Sequence, residues 1–201
     1  MRARDPVAID DLHDPRLDPF RDLPHRRSSG LAIAEGALPT QRACASTFEV
    51  RAVVCTPSQV DAMRPHVPDR TPWWVAPKAM LGELVGFAFH RGVLAAVDAR
   101  APSSVSDPRI AELRTRPDGV LAAAVGLTDP ANLGALIRAA RALKIEQVLV
   151  DARAADAFAR KAIRASAGHV FSQPLVCCDD LEAEVERLRE RLGAQVLATT
   201  P

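Results

Sequence analysis

The sequence predicts an α/β protein made of two successive units, and three observations support this fold class. Short apolar runs alternate with segments whose apolar residues recur at helical spacing, which is the pattern of strands covered by helices. Residues 101–109 are dense in Pro, Ser and Asp, which together mark a linker between two units. The run 119–127 is continuously apolar, as expected for a parallel strand buried on both faces.

In the first unit, apolar runs bounded by Gly, Pro and polar residues predict the strands. Residues 1–27 are rich in Asp, Pro, Arg and His and predict an irregular or weakly helical lead-in. Strands are predicted at 30–36, which turns into a helix, 50–56, 73–76 and 92–99. Helices are predicted at 57–63, where Pro57 suits the first helical turn, and at 77–86.

The second unit repeats this alternation. Its strands are predicted at 119–127, 147–152, 169–175 and 194–200, and its helices at 130–142, 156–166 and 180–192. The last helix has Asp179 or Asp180 as its N-cap and is ended by Gly193. Its apolar stripe at helical spacing consists of Leu181, Val185, Leu188 and Leu192.

The charge balance excludes a protein that is attracted to nucleic acid or anionic membrane over its whole surface. Lys and Arg number 26 against 25 Asp and Glu, which leaves a net charge of +1. Nearly all the basic residues are arginines, which suit bidentate phosphate contacts, although a coding bias explains most of them equally well. The N-terminus has no apolar signal core and no run is long enough to span a membrane, so we expect a cytoplasmic protein without a membrane partner.

The cysteines predict no metal site. Cys44, Cys55, Cys177 and Cys178 form no C-x-x-C pair and have no His cluster beside them. Buried free thiols in a reducing compartment are the expected state.

The segment "DPANLGALIRAA", residues 129–140, is the first candidate site. Asp129 is a good N-cap, and an apolar stripe leaves Asn132 at its edge and Arg138 on the opposite face. Gly134 costs about 1 kcal/mol relative to Ala inside a helix, which indicates that something approaches the backbone closely. The segment also follows a buried strand, where α/β proteins bind ligands. Pattern alone leaves two interpretations, a polar helix start with a solvated Arg or one half of an active site.

A dinucleotide-binding oxidoreductase is a remote alternative. Asp151 ends the strand after this helix, about where a ribose-binding acid lies in dinucleotide folds. The sequence has no G-x-G-x-x-G fingerprint, which weighs against this alternative.

Two segments together resemble a known family. "GLTDPANLGALIRAARALKIEQVLV" and "FARKAIRASAGHVFSQPL" resemble the first two motifs of the SpoU (TrmH-type) RNA ribose 2′-O-methyltransferases, which belong to the knotted SPOUT superfamily. The first motif, an Asn, a Gly and an Arg in one helix, is matched by Asn132, Gly134 and Arg138. The second, a Ser-small-Gly element, is matched at 166–168.

The resemblance extends over nearly the whole chain. "GLAIAEG" and "VGFAFHRGVLAAV" are similar to parts of the family's ribosomal-protein-like substrate domain, and "DDLHDPRLDPFRDL" is similar to a lead-in found in one bacterial subgroup. Pro39 departs from the pattern, and we expect it to break or shorten the first helix of that domain. The implied organisation is a lead-in at 1–27, an RNA substrate-binding domain at 28–100, a linker at 101–117 and the N-terminal part of a SPOUT methyltransferase domain at 118–201.

The resemblance implies methyl transfer from S-adenosylmethionine to a ribose 2′-hydroxyl of rRNA or tRNA, without a metal and by a homodimer. It assigns catalysis to Asn132 and Arg138. Because a guanidinium is too basic to accept a proton, Arg138 acts by positioning the hydroxyl and the adjacent phosphate. The residues assigned to RNA binding are Glu35, His90, Arg91, Arg138 and Ser166. For Glu35 a helix-dipole partner, and for His90 and Arg91 an ordinary polar loop, are the alternatives.

The family's third motif region has no counterpart in these 201 residues. That region supplies a Gly-x-Glu loop and a Ser-Leu-Asn segment, which form the knot, most of the cofactor pocket and much of the dimer interface. We therefore expect a C-terminally truncated member with an incomplete SPOUT-type parallel-sheet domain. Its cofactor pocket is expected to keep only the first wall, matched by Leu197, Ala198, Thr199 and Thr200. A non-catalytic RNA-binding protein or fragment is the alternative from another functional class.

Overall fold

The computed structural model describes residues 5–24, 30–99, 103–104 and 119–198, which form two sheets in succession along the chain. The first sheet, in the order β1-β4-β3-β5-β2, has five strands within the described residues. Strand β5 is antiparallel to both neighbours, whereas β1, β4 and β3 run parallel. The strands are β1 (Val7–Ala8), β2 (Leu31–Glu35), β3 (Val50–Cys55), β4 (Trp73–Val75) and β5 (Val93–Asp98). The helices are α1 (Ala37–Cys44), α2 (Val60–Met63) and α3 (Lys78–Val85).

The second sheet is parallel throughout, in the order β6-β9-β8-β7. Its strands are β6 (Ser103–Ser104), β7 (Leu121–Ala124), β8 (Gln147–Asp151) and β9 (Leu175–Cys178), and its helices are α4 (Pro130–Ala142), α5 (Arg160–Ala165) and α6 (Leu181–Leu192). This is the α/β class that the sequence predicts, and the long helices α4 and α6 have the predicted bounds to within one residue.

Four sequence-based expectations about local structure are wrong. The run 119–127, expected to be a strand buried on both faces, forms only the short edge strand β7, in which Ala124 alone is buried. Residues 169–171 form a 3₁₀ turn instead of a strand, because Ala167 and Gly168 have positive φ angles of 51° and 84° and continue the preceding turn, so that β9 begins only at Leu175. Residues 194–198 are not a strand, since they pair with none of the described strands. Helix α5 begins four residues later than predicted, after a turn in which Asp156 accepts from the Phe158 amide at 2.8 Å.

Pro39 does not break the first helix. It is the third residue of α1, which continues to Cys44. Amide groups in the first turn of a helix have no acceptor within the helix, so a proline there removes no hydrogen bond.

The lead-in and the linker segment both contribute to the sheets. In the lead-in, β1 extends the first sheet, and a 3₁₀ helix at Pro15–Phe20 buries Leu17 and Phe20 completely. In the predicted linker, Ser103–Ser104 pair in parallel with β9. The rest of 101–117 lies outside the described residues, so the predicted domain limits remain predictions.

The two sheets share one hydrophobic core. A single cluster of buried residues includes Val53 and Ala95 of the first sheet and Leu133, Ile137 and Ile163 of α4 and α5. Three aromatic rings pack against one another in this core, with centroids 5.5 to 6.2 Å apart. They belong to Phe48, Phe158 and Phe171. Among the described residues no helix has the length and apolar character that crossing a membrane requires.

Candidate functional site

Helix α4 carries the first motif and packs closely on α5. Gly134 faces α5, and a Cβ built on it would lie directly against the carbonyl oxygen of Ala162 and 2.8 Å from the Cβ of Ala165. The close approach that the sequence predicts at Gly134 is therefore the backbone of the protein's own neighbouring helix. The contact holds the first and second motifs side by side.

The two predicted catalytic residues are both exposed on α4. Asn132 lies in the first turn, where its amide N–H donates to Asp129 Oδ1 at 3.2 Å. Asp129 also pairs with Lys161 Nζ of α5 at 2.7 Å. This hydrogen bond, followed by those from the α4 amides, lowers the pKa of the Asp129 carboxyl. Arg138 lies about 9 Å further along the axis and about 120° around it, so the two side chains reach different groups of an extended substrate.

Ser166 of the second motif is not available to RNA in this structure. It is completely buried, and its hydroxyl donates to the carbonyl oxygen of Ile163 at 3.0 Å. The predicted RNA contact at Ser166 is thus contradicted, because burial leaves the hydroxyl a structural role at the end of α5.

The rest of the second motif joins the two halves of the protein. Gly168, in the left-handed region, lies so close to α1 that a Cβ on it would be 2.6 Å from the Cα of Pro39. Arg42 of α1 donates from Nη1 to the carbonyl oxygen of Ala167. Helix α1 therefore holds the loop between α5 and the 3₁₀ turn in place.

The charges of three arginines act on His169, the residue after this loop. Burial lowers the pKa of the His169 imidazole, and the charges of Arg42, Arg141 and Arg138 lower it further. Its Nδ1 is buried and has no hydrogen-bond partner among the described residues. Arg138 therefore belongs to a group of three arginines drawn from both halves of the chain. The spacing of Arg138 and Arg141 is readable from sequence, whereas no local pattern points to Arg42.

The other predicted RNA-binding residues meet in a cavity of about 400 Å³ between the two halves. Glu35 ends β2, and His90 and Arg91 precede β5. Residues of α5 and of the loop after α3 also line this cavity. They could not be predicted from local sequence patterns, because they lie in segments distant from Glu35 and Arg91. The lining residues are Glu35, Phe87, Ala88, His90, Arg91, Arg160 and Arg164.

An almost buried carboxylate organises this cavity. The Glu35 side chain is 9% exposed and lies 3.7 Å from Nε of Arg91 and 3.5 Å from Nη2 of Arg160. The Arg160 guanidinium lies 4.5 Å from the centroid of the Phe87 ring, a cation–π contact. One carboxylate thus faces three guanidinium groups, including that of Arg164, and the cavity is cationic.

The residues predicted to contact the cofactor do not form a wall. Leu197 is 82% exposed and Ala198 is also exposed, while Thr199 and Thr200 lie outside the described residues. The described part of this segment therefore does not fit S-adenosylmethionine as an enclosed site. Within the described residues there is also no group of three or more His, Cys, Asp and Glu that would hold a metal ion.

Asp151, on which the oxidoreductase alternative depended, is engaged within the protein. Its Oδ2 accepts from the Gly126 amide at 3.0 Å and lies 3.0 Å from Nη2 of Arg153. It is 7% exposed, so it does not present a carboxylate to a ribose.

Comparison with known proteins agrees with both motifs. The model of the SpoU rRNA Methylase family matches residues 119–201. An uncharacterized tRNA/rRNA methyltransferase of Mycobacterium tuberculosis is 34% identical over 212 residues, which cover 99% of this chain and 71% of that relative. The crystal structure of an RNA 2′-O ribose methyltransferase is similar with a TM-score of 0.69 and 28% identity, covering 97% of this chain and 74% of that one.

A further solved structure shows the same fold. It is the SpoU methyltransferase AviRb from Streptomyces viridochromogenes in complex with AdoMet, with a TM-score of 0.67, 23% identity and coverage of 92% of this chain and 70% of that one. The two motifs, the parallel second sheet and the match to the mycobacterial relative lead to one conclusion. The chain belongs to the SpoU rRNA methylase family.

Proposed function

We propose that this protein is an RNA ribose 2′-O-methyltransferase whose described residues form the side of the site that faces the acceptor hydroxyl. The observation that carries the proposal is the packing of the Asn132–Arg138 helix on α5 through Gly134, with both polar side chains exposed. Family membership and the AdoMet-bound relative support S-adenosylmethionine as the methyl donor. The proposed substrate is rRNA or tRNA, and the proposed location of the reaction is the cytoplasm.

Arg138 holds the substrate by charge. Its guanidinium is not a base at neutral pH, so it cannot take the proton of the hydroxyl. Together with Arg42 and Arg141 it attracts the phosphate next to the target ribose and favours loss of the hydroxyl proton, which passes to that phosphate or to water as the methyl group is transferred.

Asn132 orients the ribose. Its side chain extends from the first turn of α4, whose backbone is fixed by Asp129 and, through Asp129, by Lys161 of α5. An amide held on a fixed helix start donates and accepts in a defined direction, which suits alignment of a hydroxyl for in-line attack.

S-adenosylmethionine would supply the methyl group. Leu197 and Ala198 are exposed and do not enclose this cofactor. The same proposal takes residues 28–100 as the RNA substrate-binding domain and 118–201 as methyltransferase domain. It also includes a homodimer, to which the exposed Val120 and Val125 at either end of edge strand β7 offer apolar surface. Sedimentation velocity tests the dimer.

The proposed function is tested by incubating the chain with rRNA or tRNA and S-adenosylmethionine labelled in the methyl group. Label is expected in 2′-O-methylated nucleotides, which resist alkaline hydrolysis, and Arg138→Ala is expected to abolish it. Arg189→Ala, an exposed position on α6, is the matched control and is expected to retain the parent rate. Equal rates for the two variants would remove Arg138 from the site.

The second candidate function is RNA binding without catalysis, which the arginine-lined cavity around Glu35 favours. The same assay separates the two. The second function would replace the first if the parent chain binds RNA but transfers no methyl group. Isothermal titration calorimetry would then also show no binding of S-adenosylmethionine.

A further inference from the structure

We infer that the cavity between β2, the loop after α3 and α5 binds one unpaired nucleotide of the RNA, its phosphate on the arginines and its base against the Phe87–Arg160 pair. This inference rests on the proposed function for the identity of the substrate. It adds a binding subsite that is separate from Asn132 and Arg138, and it specifies single-stranded RNA at that point.

The charge of the cavity fits a phosphate. Arg91, Arg160 and Arg164 line it, and Glu35 supplies the opposing charge, so the guanidinium groups exceed the carboxylate by two. The carboxylate oxygens lie 3.5 and 3.7 Å from the arginine nitrogens, whereas strong charge-assisted hydrogen bonds measure about 2.7–2.9 Å. Glu35 therefore aligns two guanidinium groups without occupying their donors.

Two details show that donors remain free for a ligand. Nε of Arg160 is buried and has no hydrogen-bond partner in the described part of the chain. That atom is enclosed by the protein, whereas the Arg160 side chain as a whole is 29% exposed, so a phosphate reaches this guanidinium at its other nitrogens. The aliphatic part of Arg91 lies on Gly36, where a Cβ would be 3.3 Å from Cδ of Arg91, while the side chain remains 49% exposed, so a ligand can reach its guanidinium.

The size and the aromatic ring of the cavity fit a nucleotide rather than a bare anion. A volume of about 400 Å³ lies at the small end of ligand pockets, and a single nucleotide is of this order. The half-buried Phe87 ring and the guanidinium above it are flat groups of the kind on which unstacked RNA bases are held. A base can enter such a cavity only when it is unpaired, which excludes a continuous duplex.

The cavity adjoins the proposed acceptor site. Arg160 and Lys161 are the first two residues of α5, and Lys161 pairs with Asp129 at the start of the helix that carries Asn132. The cavity and the proposed acceptor site are therefore connected through the start of α5. One RNA segment can occupy both places.

The test measures equilibrium binding of a fluorescein-labelled single-stranded oligoribonucleotide and of the same strand in a duplex, by anisotropy and without S-adenosylmethionine. The parent chain is expected to prefer the single strand. The double variant Arg91→Ala/Arg164→Ala is expected to lose about tenfold in affinity. The slope of log Kd against log salt concentration is expected to decrease by roughly one to two. Phe87→Ala is expected to lose about tenfold at an unchanged salt dependence, since stacking involves no counterion release.

Arg189→Ala, which removes one exposed arginine outside the cavity, measures the effect of losing one positive charge elsewhere and is expected to stay within about twofold of the parent. Circular dichroism and urea unfolding establish that each variant is folded. Because Phe87 is half-buried, Phe87→Leu is the second variant should Phe87→Ala not fold. Equal affinity for strand and duplex, equal losses in the double variant and in Arg189→Ala, or no binding by the parent chain would each overturn the inference.

The readout separates this inference from the proposed function. Cavity-dependent RNA binding without methyl transfer would leave the subsite standing and remove the enzyme. Methyl transfer with binding that is insensitive to Arg91, Arg164 and Phe87 would do the reverse.

Discussion

Gly168 of the second motif lies against Pro39 of the first half of the chain, so closely that a Cβ at position 168 would be 2.6 Å from the Cα of Pro39. The contact is made between backbones, and neither partner can move independently of its element. Because the loop at 166–168 is also held by Arg42, the first half of the protein positions a motif that belongs to the second.

Gly168→Ala is expected to destabilise the protein by at least about 2 kcal/mol, because it adds a left-handed strain of about 1–2 kcal/mol and an overlap with Pro39. Urea unfolding followed by circular dichroism measures the change. Gly193→Ala is the matched control, since Gly193 also has a positive φ, of 63°, but open space around it. Equal losses in the two variants would show that the contact with Pro39 contributes nothing.

Gly134→Ala tests the packing of α4 on α5. In an isolated helix the change would gain about 1 kcal/mol, but here the new methyl group overlaps Ala162 and Ala165, so a net loss of about 1–3 kcal/mol is expected. Gly82→Ala in α3 is the control. Its nearest neighbour, the carbonyl oxygen of Phe87, is 3.9 Å away, so that variant is expected to be more stable than the parent by up to about 1 kcal/mol. A gain in both variants would contradict the close contact.

The helix around Gly134 shows which structural features can be predicted from local sequence. Its bounds, its cap and the close approach at Gly134 follow from local patterns, because capping and helical periodicity act over a few residues. The partner of Gly134 does not, since α5 is a separate segment. The same limit applies to the cavity, where Glu35 and Arg91 were identified by resemblance while Arg160 and Phe87 joined them only through the packing of the two halves.

The strands at the end of the second unit mark a different limit. Residues 169–171 have a strand-like composition, but the positive φ angles before them impose a turn. Residues 194–198 are β-prone and still form no pairs with the described strands, so β-propensity alone does not produce a strand here. Propensity states what a segment tolerates, and the neighbours decide what it forms.

Ser166→Ala separates the structural role of the hydroxyl from its predicted role in RNA binding. The Ile163 carbonyl oxygen still accepts from the Gly168 amide at 2.8 Å, so only the net contribution of one hydrogen bond is lost, and a decrease of about 1 kcal/mol in the free energy of unfolding is expected. RNA affinity is expected to stay within about twofold, since the side chain is completely buried. Ser172→Ala is the control. It removes an exposed hydroxyl that donates a 3.3 Å hydrogen bond to the carbonyl oxygen of His169, and it should lower the free energy of unfolding by less than about 0.5 kcal/mol. An RNA defect confined to Ser166→Ala would restore the RNA contact.

His169 predicts how stability depends on pH. Burial and the charges of Arg42, Arg141 and Arg138 lower its pKa in the folded state below the ordinary 6.5, so the unfolded chain binds the proton more readily. The contribution of His169 to stability is therefore complete above pH 6.5 and declines as the pH falls through that value toward the lower pKa of the folded state. We expect the free energy of unfolding of the parent to fall between about pH 7.5 and 5.5, above the range in which most carboxylates titrate. His169→Gln, which cannot be protonated, should show a smaller decline over the same interval. Identical slopes for parent and variant would show that neither burial nor the arginine charges lower the pKa of His169 in the folded state.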